Sequence, residues 1–263
     1  MKSNVNMFGM IEGRFVRRDM LAKAVLPLLL FCVSSIPPGL SEPAGESVGA
    51  TTDAPASTTD VHLDRFEPMI RAFELRDRLR MPPAGCTVFV GSSTFAKWRN
   101  LEKTFEEFAA VNRGFGGSTI PEVNHYTSRI VTNYKPSKIV FYCGSNDIAE
   151  LHHNGQQVFE DFKSFVQQVH QALPYCQIYF ISESVAPSRS CMVDDFVKSN
   201  SLVQEFVKSM PYVHFIDVLP AMQNKDGRLR TDLFGIDRLH MTPEGYALWT
   251  PIIRTALNQQ IGK

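Results

Sequence analysis

From residue 87 onward the chain alternates short apolar runs with longer amphipathic stretches. Residues 87–90, 109–112, 138–143, 177–181 and 213–218 are rich in β-branched and aromatic side chains. They lack the apolar–polar alternation of a half-exposed sheet, so they predict strands buried on both faces. Residues 95–108, 120–132, 156–173 and 193–210 read as helical stretches, and they predict helices. In the third of these, Phe159, Phe162, Phe165, Val166 and Val169 form one stripe, read as core packing. A last helix is predicted from Pro243 to about Leu257, with Thr242 as its N-cap. Upstream, Phe66, Ile70, Phe73, Leu75 and Leu79 predict an amphipathic helix within 61–80. Regular strand–helix alternation implies an α/β fold: a parallel sheet covered by helices on both faces, with right-handed crossovers. No internal repeat is visible.

The pattern changes before residue 61. Residues 41–60 are Ser-, Thr-, Ala-, Gly- and Pro-rich and hold almost no large apolar side chain, so they cannot offset their own ordering entropy. They predict a disordered linker. Ahead of them, Arg17, Arg18 and Lys23 precede an apolar run over 24–33, then Ser34, Ser35 and a Pro pair. That order predicts a secretory signal or other targeting segment over 1–40, and hence export to the periplasm or the exterior. A cytoplasmic leader is the alternative. The run is far shorter than the roughly 20 residues that span a bilayer, so no stable membrane span is expected. The folded domain is assigned to 61–263.

Composition removes several function classes. With 263 residues and 44% hydrophobic content, the chain can bury one sizeable core. Its 27 basic and 27 acidic side chains cancel, which leaves no excess to neutralise phosphates and argues against nucleic acid as a partner. Cys32 falls in the leader. Cys86, Cys143, Cys176 and Cys191 form no C-x-x-C pair, so structural zinc and thioredoxin-like chemistry lose their signature; buried free thiols are the leading reading and one disulfide the alternative. His152 and His153 lie in a polar loop with no partner at ligand spacing, so no metal is assigned and no cofactor is called for. A chelator is expected to have no effect on activity.

In open parallel sheets ligands bind beyond the carboxyl ends of the strands. There the chain places Gly91-Ser92-Ser93-Thr94, then Arg113-Gly114-Phe115-Gly116-Gly117-Ser118, then Gly144-Ser145-Asn146-Asp147, and, in a loop before the last helix, Asp237-Arg238-Leu239-His240. These are the parts of an acyl-transfer site. A serine hydroxyl attacks only when a base takes its proton, and His is the side chain that takes and returns one near neutral pH. Asp237 can hold the imidazole of His240 in one tautomer. The amides of Ser93 and Gly117 and the carboxamide of Asn146 can meet the negative charge of a tetrahedral intermediate. Activity should therefore rise with pH between about 5 and 8, as the imidazole loses its proton. Asp147 reads as structural, and Arg113 as a partner in a surface salt bridge. The glycine cluster 114–117 is not a dinucleotide fingerprint, because Thr119 stands where the third glycine belongs.

The segments VFVGSSTF, NRGFGGSTI, FYCGSNDIA and DRLH resemble, in order, the four blocks of the SGNH (GDSL-like) hydrolase superfamily. The resemblance spans roughly residues 86–257. It implies a three-layer α/β/α fold on a five-stranded, flavodoxin-like parallel sheet, and a serine esterase acting on a short-acyl or carbohydrate-linked ester. It implies Ser93 as nucleophile, Gly117 and Asn146 in the oxyanion hole, and Asp237 and His240 completing the triad. The family's usual Gly-Asp-Ser is Gly91-Ser92-Ser93 here, which leaves two adjacent serines; alignment with the motif points to Ser93. Lysophospholipase and acyltransferase activities belong to the same superfamily. A non-catalytic binding module on this fold is the alternative from another class.

Overall fold

Five strands form where continuous apolar runs predict them: β1 Thr87–Gly91, β2 Ala110–Gly114, β3 Lys138–Tyr142, β4 Gln177–Ile181 and β5 Val213–Ile216. The computed structural model describes residues 63–259; the expected leader over 1–40 and linker over 41–60 lie outside them. Every strand pair is parallel and the order is β2-β1-β3-β4-β5. That is the flavodoxin-like doubly wound order, and the architecture is the expected three-layer α/β/α sandwich.

Side chains alternate between two cores. Val88, Val90, Ile139, Phe141, Ile178 and Phe180 face a cluster shared with Ile70, Val123, Phe162 and Phe196. These come from α1 Glu67–Leu79, α4 Ile120–Ile130, α6 Gly155–Ala172 and α7 Val193–Phe206. Phe89, Val140, Tyr142, Tyr179 and Ile181 face the other way, onto Phe95, Leu101 and Trp249. Those belong to α2 Ser93–Ala96, α3 Leu101–Thr104 and α8 Pro243–Asn258. A short helix, α5 Ser145–Glu150, follows β3 directly. No helix among the described residues is long and apolar enough to cross a membrane.

Three expectations need correction. The single helix over 95–108 is broken into α2, α3 and a 3₁₀ turn at Glu106–Phe108. Asn100 sits outside helical geometry and starts the second piece, its carbonyl accepting both the amide and the hydroxyl of Thr104 at 2.8 and 2.9 Å. Asn favours such helix starts over helix interiors because its side chain competes for backbone hydrogen bonds. The helix over 193–210 ends at Phe206 and tightens into a 3₁₀ turn. Arg113 makes a buried ion pair instead of a surface one. It is 1% exposed, bonds Asp77 Oδ1 at 2.5 Å and Tyr134 Oη at 2.8 Å, and Tyr134 closes the triangle onto Asp77 Oδ2. Packing of α1 against β2 brings in Asp77 from 36 positions upstream, a partner that no local pattern reveals. Cys86, Cys143 and Cys176 are buried free thiols, and Cys191 is free and exposed.

Candidate active site

Register brings the strand-end motifs to one level. Gly91 pairs with Gly114 on one side and with Tyr142 on the other. Ser93, Gly117 and Asn146 therefore follow their strands by two to four residues along one rim. Gly91 has φ +145°, and a Cβ there would overlap the Tyr142 carbonyl. Only glycine lets β1 turn so tightly against β3 into the serine pair.

Ser92 precedes α2 with extended backbone, and its amide donates to Tyr142 O at 3.2 Å. Ser93 is the first residue of α2 and half-buried. It lines a tight cleft with Ser92, Thr94, Tyr142, Asn146, Arg189, Leu239 and Met241. The last two flank His240. The loop after β2 passes over the same spot: a Cβ on Gly116 would lie 3.7 Å from Ser93 Cβ. The Phe115 amide and the Ser118 hydroxyl both donate to Gly91 O, which fixes this loop on the serine turn. Gly117 adopts φ +83°, a left-handed conformation that glycine takes without strain. Its carbonyl accepts from Arg65, so the peptide is anchored from outside.

Asn146 is 6% exposed. One hydrogen of its Nδ2 goes to Ser118 O at 2.9 Å, and its Oδ1 accepts from Arg189 at 2.8 Å. A carboxamide has two N–H donors, so one remains for the cleft. Asp147 accepts the Ile120 amide at 2.8 Å through Oδ1, tying α5 to the start of α4. This is the structural role expected of it. Burial raises its pKa to about 7.

Asp237 and His240 meet in the loop before α8. His240 Nδ1 donates to Asp237 Oδ2 at 2.6 Å, while Asp237 Oδ1 accepts the amides of Leu239 and His240, each at 3.0 Å. The imidazole hydrogen bond, followed by the two amides, holds the Asp237 carboxyl well below the usual carboxylate range. With Nδ1 protonated, Nε2 carries the lone pair; this tautomer follows from the hydrogen-bond network. Lys97 Nζ also lies 3.2 Å from Nδ1, but an N–H directed at Asp237 leaves nothing there to accept from an ammonium. Thr242 caps α8, its hydroxyl accepting the Gly245 amide, and Tyr246 Oη donates to Thr94 O at 2.9 Å. The helix that begins beside the histidine is thus bonded to the residue after Ser93. Ser93 and His240 form no hydrogen bond with each other here. In substrate-free enzymes such contacts are often long and tighten on binding.

Several residues at the site were not assigned from sequence. Glu183, just past β4, is fully buried. Its Oε2 accepts from Ser199 at 2.7 Å, its backbone is bracketed by Asn200, and burial raises its pKa to about 8. Its other oxygen presses on Gly144, where φ is +136° and a Cβ would overlap it. The one available signal was an acidic residue directly after an apolar strand. Arg189 also went unassigned. His153, read as having no partner at ligand spacing, lies near two carboxylates: its Nδ1 is 3.2 Å from Asp161 Oδ2 without a formed hydrogen bond, and these atoms with an Asp147 carboxylate oxygen fall within 4.8 Å of one another. Turn and helix bring the three together across 14 positions.

A serine hydroxyl, an imidazole bonded to a carboxylate, and N–H donors along one rim suit ester chemistry. Residues 84–248 match the sequence profile of a family described as the GDSL-like lipase/acylhydrolase family. No curated protein sequence matches. Among solved structures, the chain is similar to a GDSL-like lipase from Bacteroides thetaiotaomicron, with TM-score 0.61 and 21% identity over 72% of this chain and 96% of that one. It is also similar to an acetylxylan esterase from Geobacillus stearothermophilus, with TM-score 0.55 and 13% identity over 69% and 98%. A third is a carbohydrate esterase family 3 protein from Talaromyces cellulolyticus, with TM-score 0.55 and 15% identity over 67% and 98%. At these identities the structural likeness bears on fold.

Proposed function

The chain belongs to the GDSL-like lipase/acylhydrolase family and is an ester-bond hydrolase, and from that premise we propose that it is a serine esterase working through Ser93, His240 and Asp237. The observation that carries this reading is the 2.6 Å His240–Asp237 bond at the rim of the cleft that holds Ser93 and Asn146. His240 Nε2 takes the proton of Ser93 Oγ as that oxygen attacks the ester carbonyl. Negative charge then gathers on the former carbonyl oxygen and is met by the Ser93 and Gly117 amides and the free Asn146 N–H. When the intermediate collapses, the imidazolium gives its proton to the departing alkoxide, leaving an acyl-Ser93 ester. Water, deprotonated by the same imidazole, attacks this ester and releases the carboxylic acid. Asp237 stabilises the imidazolium and stays ionised throughout.

A short acyl group fits best. The cleft is tight, closed in by Tyr142, Phe234, Leu239 and Met241, which favours an acetyl methyl over a long chain. The likeness to an acetylxylan esterase and to a carbohydrate esterase favours a sugar as the alcohol portion. The ordered Asp237–His240 bond favours catalysis over a binding-only role.

The test is a panel of short chromogenic esters and acetylated glycans assayed with the wild type, Ser92→Ala and Ser93→Ala. Activity on the acetyl members should persist in the first variant and vanish in the second. Undiminished turnover by Ser93→Ala removes the reading. Export through the leader over 1–40 remains part of the proposal, supported by the basic residues, apolar run and Pro pair of that segment. N-terminal sequencing of protein recovered outside the cytoplasm tests it.

A further inference from the structure

We propose that Arg189 is a positioning residue for the Asn146 donor, and that the turn carrying it braces the two halves of the active site. The inference rests on the serine-esterase reading and adds a residue to it. Arg189 lies in the 3₁₀ turn Pro187–Met192, where its own backbone leaves helical geometry at φ −116°, ψ 17°. Its side chain is 11% exposed and lines the cleft with Ser93. The guanidinium reaches α5 through two nitrogens: Nη1 donates to Ser145 Oγ at 2.5 Å and Nη2 to Asn146 Oδ1 at 2.8 Å.

A carboxamide is nearly symmetric in shape, so only its partners decide which end carries the hydrogens. Ser118 O demands a donor on one side of Asn146, and Arg189, which has no acceptor, demands an acceptor on the other. A flipped amide would set NH2 against guanidinium and oxygen against carbonyl. The pair of demands holds Nδ2 toward the nucleophile side. A cation on Oδ1 also polarises the amide and strengthens its remaining N–H as a donor, an effect that grows where water is excluded. The same turn holds the acid–base loop, because the Ser188 amide donates to Arg238 O at 3.0 Å, between Asp237 and His240. Adjacent residues of one turn thus grip the oxyanion loop and the His240 loop.

The test is a double-mutant cycle on an acetyl chromogenic ester, with kcat and KM measured for wild type, Arg189→Met, Arg189→Lys, Asn146→Ala and the Arg189→Met/Asn146→Ala pair. Arg189→Met should lower kcat roughly 10- to 100-fold and leave KM within about twofold, as for loss of an interaction made in the transition state. Arg189→Lys, which keeps a charged donor, should restore part of kcat. The paired variant should be no slower than Asn146→Ala alone, because the arginine has nothing left to position. Multiplying losses, or a rise confined to KM, overturns the proposal. Should Arg189→Met not fold, Arg189→Lys and its pairing with Asn146→Ala carry the same cycle. Ser93→Ala separates this from the parent reading: if that variant is dead while the cycle is additive, only the role of Arg189 falls.

Discussion

The two sides of the cleft are built differently. The Asn146 side is buried and fixed: Asn146 is almost fully enclosed, bonded at both ends, and backed by Asp147 and Glu183, each with its own partner. The Asp237–His240 side is open. The Asp237 side chain is 50% exposed and that of His240 22%, Ile236 beside them stands free in solvent, and Arg238 takes a left-handed backbone at φ +55°. Donors that meet a developing charge gain most when they are preorganised and shielded from water. A base that exchanges protons with alcohol and water needs access. On the proposed reading, the contrast teaches that rigidity is concentrated where charge gathers, and exposure where protons leave.

Substitutions on each side sharpen this contrast. The largest effect belongs to the exposed side: His240→Ala should lower kcat/KM on an acetyl ester about 10⁴-fold or more with little change in thermal midpoint. A comparable fall in stability would break the comparison. Next, Asn146→Ala should cost about 10²- to 10³-fold in kcat and also lower the midpoint, because Arg189 and Ser118 lose a buried partner.

Third comes pH. Glu183 and Asp147 hold their protons in the folded chain up to about 8 and about 7, because burial disfavours the charged forms. An unfolded chain releases those protons at ordinary carboxylate values, 4.5 and 3.8. Between there and about pH 8 the folded state holds more protons than the unfolded one, so stability falls as pH rises through that window. Denaturant midpoints at pH 5 and 8.5 measure the slope. Glu183→Gln should flatten it, moving the pH 8.5 value by an amount on the order of 2 kcal/mol. The smallest effect is Ile236→Ser, expected to change stability by less than about 0.5 kcal/mol because the side chain touches nothing that burial would protect.

Sequence patterns carried the fold further than they carried the site's support. Buried parallel strands read as unbroken apolar runs, so all five were recognisable, and the glycine-ended strands marked where Ser93, Gly117 and Asn146 gather. Asp237 and His240 were legible because only two residues separate them in one loop. Arg189, Glu183 and the partners of His153 were not legible. Their roles depend on groups that other elements bring in, such as Ser199 from α7 or Asn146 from α5, and nothing in local spacing records that. The break after Ala96 was hidden for a related reason: Phe95, Trp98, Leu101 and Phe105 keep helical spacing and all bury, although the backbone between them is not one helix.

One bond bears on how the molecule comes into being. Tyr246 Oη reaches the carbonyl of Thr94 across 152 positions, and His240 sits just ahead of the helix that supplies that hydroxyl. During synthesis Ser93 and the five described strands leave the ribosome before α8 does. On the proposed serine-esterase reading, a nascent chain would gain the capacity to cut esters only once α8 and the loop ahead of it dock.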